Sequence, residues 1–331
     1  MDTGGSSRGI SRRQSSGSFC KVKTPLLSVV IPTWNRAQLV CDAVNSAIVQ
    51  VRKGGLPPLL GERGQAPLPD LSSVEVIVVD DASTDATVSV LERAFGSRIC
   101  LLRLDRRRGP GGARNAGARL ARGEFVAFLD SDDVWLPGKL DAELEIFARF
   151  MDADVVVSDS QSFFEGERDG SSRFAQNGLL EATRGEVRMA SDCNWLWTNS
   201  INTAHLCSIT VRRNALARLG EKLFAEDLVC CEDWEFQMRL YHSCRVVVLP
   251  HVWSHVRRFN DGSRVGRGVP GRPTTPEQEF MLLRSRLAVM ERADWLTGLD
   301  ANLASEFERF RNDTEAILFI SRKGAKAQSF S

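Results

Sequence analysis

The sequence lacks the features that mark membrane, secreted and nucleic-acid-binding proteins. No apolar run approaches the roughly 18 residues that span a bilayer, and the first residues contain no signal-peptide hydrophobic region. The net charge of +1 gives no reason to expect nucleic acid as the main partner. We therefore expect a cytoplasmic protein with no nucleic acid partner and no integral membrane contact.

The cysteines do not form a recognisable framework. The eight residues include no Cys-x-x-Cys pair, and they are scattered over predicted strands, helices and loops. Cys230 and Cys231 are adjacent, which is too tight for an easy bridge. The pattern indicates reduced thiols, as in the cytosol.

Short apolar runs alternate with helical patterns in the first half of the chain. The predicted strands are Leu26–Pro32, Val74–Asp80, Ile99–Leu104 and Phe125–Leu129. Their continuous apolar character is typical of strands that are covered on both faces. The alternation predicts a doubly wound α/β domain with a mostly parallel sheet, in which ligands lie beyond the carboxyl ends of the strands.

Three carboxylates follow the last of these strands. Asp130, Asp132 and Asp133 are crowded at the point where the chain leaves the sheet. Such crowding becomes tolerable when a divalent cation such as Mg²⁺ or Mn²⁺ sits among them, and these cations bring phosphates with them. The alternative is a solvated acidic turn that caps a helix starting near Pro137.

Four segments, in this order, resemble the signature of family 2 glycosyltransferases. They are Val29–Arg36, Val78–Asp85, Gly112–Gly117 and Gly123–Asp133. The resemblance implies the GT-A fold, a Rossmann-like α/β fold whose mixed, mostly parallel sheet is flanked by helices, and an inverting enzyme that uses a nucleotide sugar. One departure is Arg107, which stands where family members often carry an asparagine.

The resemblance also divides the chain. Residues 1–24 are rich in Gly, Ser and Arg and are expected to be disordered. Residues 25–265 are expected to form the GT-A domain, with a nucleotide-binding half at 25–140 and an acceptor and catalytic half at 141–265. Residues 266–331 are expected to form a linker and a C-terminal helical extension.

The resemblance implies a nucleotide site built from Pro32, Thr33, Trp34, Asn35, Asp81, Arg114, Asp130 and Ser131. Trp34 is expected to stack on the base, although a tryptophan packed against the neighbouring helix has the same signal. Asp81 is expected to accept the imide N–H of uracil. Arg114 is expected to point back toward the nucleotide; the alternative is a surface ion pair. Asp85 is more typical of a turn or a helix cap.

Two aspartates and a histidine are the expected metal contacts. In the family the final aspartates hold the metal and the diphosphate, which here are Asp132 and Asp133, with Asp130 near the ribose or a metal-bound water. The cofactor would be Mn²⁺ or Mg²⁺, which stabilises the charge on the leaving diphosphate. His255 is the candidate third contact, in a loop whose Arg257 is a candidate substrate phosphate contact. A charged surface loop has the same composition.

A second acidic site follows Cys231. Glu232 and Asp233 begin a pattern with helical spacing. Two acids at a helix start can be there only because their negative charges interact favourably with the positive end of the helix dipole. In the family resemblance, Asp233 is instead the general base, and Glu232 orients it or binds the acceptor. His205 is expected to touch the donor sugar, or to be satisfied by the local backbone. Trp197 is expected either to contact a sugar ring or to pack in a core or lid.

The leading hypothesis is a metal-dependent inverting glycosyltransferase that uses a nucleotide sugar, with UDP as the expected nucleotide. The acceptor is expected to be soluble, a small molecule or a saccharide, with a small molecule favoured. One alternative is a GT-A-like nucleotidyltransferase, but Pro32–Asn35 does not fit the glycine-rich, basic loop expected there. The other is a catalytically silent nucleotide-sugar-binding protein. The patterns at Glu277–Trp295 and Asn302–Ile320 predict helices that pack on the acceptor side or form a homodimer contact.

Overall fold

The structure is a computed structural model. It describes residues 24–50, 74–164, 166–190, 204–259 and 276–292, together with 305, 308–309 and 311–315. Trp197 and the predicted linker up to residue 275 lie outside the described residues. The predicted disordered tail also lies outside them, except for residue 24. Within the described ranges, no helix combines the length and the apolar character needed to cross a membrane.

A single mixed sheet of ten strands organises the described residues. The strands are β1 (Leu27–Thr33), β2 (Val74–Asp80), β3 (Cys100–Arg103), β4 (Phe125–Phe128), β5 (Val134–Trp135), β6 (Val155–Phe164), β7 (Glu167–Arg168), β8 (Arg188–Ala190), β9 (Ile209–Arg212) and β10 (Val246–Arg258). Their order is β3-β2-β1-β4-β9-β6-β10-β5, with β7 paired to β6 and β8 paired to β10.

Six strands, β1, β2, β3, β4, β6 and β10, run in one direction, and the shorter β5, β7, β8 and β9 run against them. The sheet is therefore mixed and mostly parallel, as predicted. The helices between and beyond the strands are α1 (Val40–Val49), α2 (Thr87–Phe95), α3 (Gly109–Leu120), α4 (Lys139–Arg149), α5 (Arg173–Gln176), α6 (Leu179–Thr183), α7 (Arg213–Leu216), α8 (Glu232–Ser243) and α9 (Pro276–Glu291).

The sheet separates two hydrophobic cores, because alternate residues of a strand point to opposite faces. In β1, Val29 and Ile31 belong to the core that contains residues of α1, α2 and α4. Val30, between them, belongs to the core that contains residues of α3 and α8. Both faces of the central strands are thus buried, which explains why their sequences are apolar without alternation.

Helix α3 lies unusually close to the sheet at Gly117. A Cβ atom at this position would meet Val30 Cγ1 at 2.4 Å and Val79 Cγ2 at 3.0 Å. Only glycine leaves room for this approach. Arg114 lies one turn earlier on the same side of the helix, so its guanidinium is held near the carboxyl ends of β1 and β4.

Some predicted boundaries were wrong, because they depend on contacts between distant segments. The helical spacing of apolar residues from Leu39 to Ile48 predicts a helix that starts at Asn35. The φ of Asn35 is instead +49°, its N–H donates to Ser83 Oγ, and α1 begins at Val40. The predicted loop around His255 is part of β10, which pairs with β6 as far as Arg258.

The segment Ala204–Val211 predicts a strand that begins at His205, and the structure differs here as well. A 3₁₀ turn at Leu206–Ser208 comes first, and β9 begins only at Ile209. His205 therefore precedes the strand and lies at the edge of the turn, beside the sheet end where β4 terminates.

The C-terminal helix α9 packs on α8. Val289 and Met290 join Trp234 and Met238 in a small apolar cluster, with Cys231 packed against it. The start of α8 therefore depends on contacts with α9.

Candidate active site

Strands β1, β2 and β4 end beside one another and bring the sequence motifs together. Thr33 pairs with Asp80 across β1 and β2, and the Asp81 N–H donates to the Thr33 carbonyl at 2.8 Å. Strand β4 ends at Phe128, and Asp130 follows two residues later. The carboxyl edge of the sheet therefore carries acidic groups from two separate motifs.

Asp130, Asp132 and Asp133 form a compact carboxylate cluster. Their ligand oxygens all lie within 4.8 Å of one another, and the Asp133 N–H donates to the Asp130 carbonyl at 3.0 Å in a tight turn. Asp132 and Asp133 are buried. A set of carboxylate oxygens at this spacing fits a hard divalent cation such as Mn²⁺ or Mg²⁺.

Two arginines contact the cluster from outside it. Arg36 Nη2 lies 3.7 Å from Asp132 Oδ2. The backbone N–H of Arg257 donates to Asp133 Oδ1 at 3.2 Å, while its guanidinium pairs with Asp42 at 2.8 Å. The predicted phosphate contact by the Arg257 guanidinium would require this ion pair to open, and it stays a prediction.

Arg114 joins the carboxylate cluster to the second acidic site. Its Nη2 donates to Asp130 Oδ1 at 2.7 Å, and its Nη1 donates to Glu232 Oε1 at 2.7 Å. Burial alone would lower the pKa of Arg114, but the charges of Asp130 and Glu232 outweigh burial and raise this pKa. Arg114 is therefore a permanent buried cation between two halves of the site, and it is not the surface ion pair of the alternative interpretation.

Asp81 receives the loop that leads into α3. Its carboxylate accepts the N–H of Arg108 at 2.6 Å and the N–H of Gly109 at 2.8 Å. Burial raises the pKa of Asp81, although these hydrogen bonds and the charge of Arg107 oppose the shift. Each carboxylate oxygen has a second lone pair, so a contact to a uracil imide remains chemically feasible and stays a prediction.

Trp34 lies at the rim of the site, with 38% of its surface exposed. The guanidinium carbon of Arg107 lies 3.5 Å from the centre of its ring. This is close stacking of a cation on an aromatic face. Arg107, the residue that departs from the family pattern, therefore covers one face of the ring, and stacking of a base on Trp34 stays a prediction.

The remaining predicted nucleotide residues support the loops around this rim. Asn35 Oδ1 accepts the Thr84 N–H at 2.8 Å and so ties the first motif to the second. Asp85 accepts the Thr87 N–H at 2.9 Å at the start of α2, as expected of a helix cap. Ser131 and Pro32 are buried. Thr33 Oγ1 is buried and has no hydrogen-bond partner within the described ranges, which leaves a polar atom for a ligand.

Glu232 and Asp233 occupy the first turn of α8. Glu232 is buried, and burial raises its pKa against the opposing charge of Arg114. Asp233 is less buried, and its Oδ1 accepts the N–H of Trp234 at 2.8 Å. Asp233 is therefore the acid of this pair that a ligand can reach, while Glu232 anchors the turn to Arg114.

Each of the two candidate histidines has a contact of its own. His205 Nδ1 is 2.8 Å from Ser160 Oγ. The ring of His255 packs on Phe163, with centroids 4.3 Å apart, and burial together with the charge of Arg168 lowers its pKa. The cluster of close potential ligands within the described ranges does not include His255. Its role as a metal contact and that of His205 as a sugar contact stay predictions.

Sequence reasoning missed three contributors to the site. Arg36 belongs to the first motif but received no role, and Arg107 was noted only as a departure. Glu226 pairs with Arg108 at 2.7 Å and accepts from Asn115 at 3.1 Å, which fixes the entry to α3. No local pattern marks Glu226, because its partners lie more than 100 residues away.

Solved glycosyltransferases of GT-A fold share this architecture. A Staphylococcus aureus TarS fragment solved with UDP-GlcNAc superposes with a TM-score of 0.54 at 21% identity, over 88% of this chain and 70% of that one. A mannosyltransferase from Pyrobaculum calidifontis, solved with GDP-Man and Mn²⁺, gives 0.58 at 19% identity, over 94% and 76%. The predicted fold class is confirmed.

The sequence comparison then identifies the family. The model of glycosyl transferase family 2 matches residues 28–218, and the chain belongs to this family of enzymes. The succinoglycan biosynthesis protein ExoO of Rhizobium meliloti is 38% identical over 217 residues, which is 63% of this chain and 57% of that protein. The poly(ribitol-phosphate) beta-N-acetylglucosaminyltransferase TarS is 26% identical over 265 residues, 78% of this chain and 39% of TarS. The aligned parts thus span less than two thirds of these relatives.

Proposed function

We propose that this protein transfers a sugar from a UDP sugar to a hydroxyl group of a saccharide or small-molecule acceptor, with inversion at the anomeric carbon. The observation that carries the proposal is the bridge from Asp130 through Arg114 to Glu232, with both contacts at 2.7 Å. It joins a cluster suited to a cation and diphosphate to a helix start that exposes a second acid. A transferase needs both functions within one sugar's length.

The donor would lie along the carboxyl edge of the sheet. The base would reach Trp34 and Asp81, with Thr33 Oγ1 as a further polar contact. The ribose would lie near Asp130. In this arrangement a base that uses the covered face of Trp34 displaces the Arg107 guanidinium. UDP is favoured because TarS was solved with UDP-GlcNAc.

Asp132 and Asp133 would hold the divalent cation, with His255 as the candidate third contact. When bound, the cation would act as a Lewis acid that stabilises the negative charge on the departing diphosphate. The two carboxylates would hold the ion, and Arg36, 3.7 Å from Asp132, adds positive charge beside them. A Mn²⁺ ion accompanies GDP-Man in the Pyrobaculum enzyme, which supports this choice of cofactor.

Asp233 would act as the general base. It accepts the proton of the acceptor hydroxyl while that oxygen attacks the anomeric carbon from the side opposite the diphosphate. One displacement inverts the configuration, so no covalent sugar intermediate on the enzyme is needed. Glu232 would set the position of this base, because its own carboxylate is tied to Arg114.

The acceptor is proposed by class only. ExoO is named for succinoglycan biosynthesis, and another relative from Escherichia coli, 28% identical over 139 residues, is named as a glucosyltransferase acting from UDP-Glc on a GlcNAc-diphosphoundecaprenol. These names favour a saccharide hydroxyl over the hydroxyl of a metabolite without sugar. Candidate acceptors should therefore include free and lipid-linked saccharides.

The test is a donor and acceptor panel with an assay for released nucleotide. Purified protein with Mn²⁺ should release UDP from a UDP sugar only when a suitable acceptor is present, and the product should have the inverted anomeric configuration by NMR. Release of pyrophosphate from a nucleoside triphosphate and sugar phosphate would instead identify a nucleotidyltransferase. Binding of UDP sugars without turnover by any acceptor would favour a silent binding protein.

Replacement of the base provides the sharper measurement. Asp233→Asn should lower kcat by about 10²–10⁴-fold, because the side chain can no longer accept a proton, and should leave the Kd of UDP unchanged. Asp152→Asn is the matched control, since Asp152 is an exposed acid paired with Arg245 away from the site. Full turnover in the Asp233→Asn variant would show that the base has been misassigned.

A further inference from the structure

Cys230 and Cys231 form a vicinal dithiol directly before α8. Their Sγ atoms are 3.9 Å apart, and the thiol of Cys231 donates to the sulfur of Cys230. Cys230 is buried with 7% exposed, and Cys231 is partly exposed. Val229, immediately before them, is 65% exposed, so the chain reaches the surface directly before the pair.

The contact between the two thiols makes one of them reactive. The hydrogen bond from Cys231 lowers the pKa of Cys230 to about 7, although burial opposes this. The same contact, together with burial, raises the pKa of Cys231. A large fraction of Cys230 is therefore thiolate near neutral pH, with a protonated thiol beside it, and the thiolate is the nucleophilic form.

A bridge between adjacent cysteines is strained by covalent geometry. Their Cα atoms are about 3.8 Å apart across a trans peptide, whereas ordinary disulfides span about 4.4–6.8 Å. The sulfurs would have to approach from 3.9 Å to about 2.05 Å. Strained disulfides are easily reduced and belong to the labile, regulatory kind. Because a bridge between Cys230 and Cys231 would be strained, a dithiol reductant would open it easily, and its formation would be reversible.

The backbone of Cys231 holds the first turn of α8. Its φ is +67°, in the left-handed region that non-glycine residues rarely adopt. Its carbonyl accepts the N–H of Glu235 at 3.0 Å, which closes the turn that contains Glu232 and Asp233. A disulfide ring would include the Cys230–Cys231 peptide and the Cα of Cys231, so closing the ring is expected to change the φ of Cys231 and to redirect the carbonyl that accepts from Glu235.

We propose that Cys230 and Cys231 are a peroxide-oxidised modification site whose disulfide switches off the acid pair of α8. The regulatory part of this inference rests on the proposed transferase function. The Cys230 thiolate attacks one oxygen of hydrogen peroxide, the O–O bond breaks, and the other oxygen leaves as hydroxide and is protonated to water. Cys230 is then a sulfenic acid.

The second step closes the bridge. The Cys231 sulfur attacks the sulfur of the sulfenic acid, the S–O bond breaks, and a second water leaves with the proton of the Cys231 thiol. The two sulfurs supply the two electrons that reduce the peroxide. A dithiol reductant reverses the step by thiol–disulfide exchange, and it restores the left-handed start of α8.

The test treats the full chain with hydrogen peroxide and follows three readouts. Mass spectrometry of the peptide that contains both cysteines should show the loss of two hydrogens, reversed by dithiothreitol. Hydrogen exchange at the amides of residues 232–236 should become faster. Transfer activity should fall by about 100-fold, the cost of displacing a catalytic group by about 1 Å, while UDP binding should persist.

Three variants complete the test. Cys231→Ser should keep basal activity and resist peroxide, and Cys230→Ser provides a second bridge-free variant if the first folds poorly. Cys100→Ser removes an exposed cysteine elsewhere and should remain sensitive to peroxide.

Absence of the two-hydrogen loss, or equal inactivation of Cys231→Ser by peroxide, would overturn the proposed modification site. If no donor is turned over, the mass and exchange readouts still decide it. A bridge that forms without loss of transfer would overturn the regulation alone.

Discussion

At the scale of single residues, Arg114 is the side chain that joins the two acidic parts of the candidate active site. One guanidinium holds Asp130 and Glu232 at the same distance, 2.7 Å, and it is 4% exposed. Arginine suits this place because its planar fork gives two separate donors and it stays charged when buried. Burying the charges of Arg114 and Glu232 is tolerable only while they stay paired, and the partly exposed Asp130 adds a second carboxylate partner.

Arg114→Lys should separate this role from simple positive charge. A lysine ammonium cannot reach both carboxylates in the same geometry, so Glu232 would be left buried without its partner. Unfolding free energy should fall by about 3–5 kcal/mol, and turnover should fall as well. Urea denaturation measures the first effect, and the UDP-release assay measures the second.

Arg119→Lys, on the exposed end of the same helix, should change neither quantity. A further check is the double variant Arg114→Lys with Glu232→Gln, which removes the stranded charge and should regain part of the lost stability. Unchanged stability in Arg114→Lys would show that the bridge contributes little.

At the scale of elements, the position of Arg114 depends on how closely α3 approaches the sheet. Gly117→Ala places a methyl group where Val30 Cγ1 lies at 2.4 Å, and the helix must move away. Such overpacking typically costs about 1–3 kcal/mol. We expect lower urea stability and reduced turnover, because the Arg114 guanidinium moves with its helix.

A second change tests whether the collision is the cause. Val30→Ala removes the methyl groups that the new side chain would meet, so Gly117→Ala combined with Val30→Ala should lose less than the sum of the single losses. If the two losses simply add, α3 is not held at this distance by Gly117.

Local patterns predict the central elements well, and they fail where partners are distant in the chain. The apolar runs of β1, β2 and β4 are visible from composition alone, since both faces are buried. The polar sequence Ser160–Asn177 predicts an irregular segment, yet Ser160–Ser162 are buried and β6 pairs with β10 as far as Phe164. Only a neighbour about 94 residues later makes a strand of it, as expected when pairing overrides propensity.

The same limit applies to the site. Asp130, Arg114 and Glu232 were each singled out from their motifs, but nothing in the sequence gave the bridge between them, because Arg114 and Glu232 are 118 residues apart. The stacking of Arg107 on Trp34 was missed for a different reason. Trp34 is typical of the family, whereas Arg107 departs from the family pattern. The family pattern therefore cannot predict a contact between them.

At the scale of the whole molecule, Glu75 ties together the sheet edge opposite the candidate active site. It accepts from Ser28 Oγ at 2.5 Å and from the Arg122 N–H at 2.7 Å. Burial would raise the pKa of Glu75, but these hydrogen bonds and the charge of Arg122 outweigh burial and lower it. The segments joined are β1, β2 and the entry to β4.

This lowered pKa predicts a specific loss of stability in acid. A carboxylate whose pKa is lower in the folded state stabilises the fold above its unfolded pKa, near 4.5, and this contribution is lost as the pH falls through the folded value. Glu75→Gln should therefore lower the Tm at pH 7 and flatten the fall in Tm below about pH 4.5. Thermal unfolding between pH 7 and pH 3 measures both.

Glu92→Gln, at an exposed position on α2, is the control for removing one acid, and its Tm profile should follow that of the unchanged protein. A Glu75→Gln profile that runs parallel to the original at all pH values would mean that protonation of Glu75 does not contribute to the acid transition.

The Arg114 bridge also sets a rule for exchanging parts between relatives. Arg114 neutralises Asp130, which follows β4, and Glu232, which begins α8. The segments before and after β5 are therefore not independent modules. A chimera that keeps this chain as far as β5, and so keeps both Arg114 and Asp130, but takes its later segments from another glycosyltransferase inherits an unbalanced buried charge unless the incoming helix offers an acid where Glu232 stands. A graft of segments from another glycosyltransferase should therefore include an acid at the position of Glu232, so that Arg114 keeps its partner.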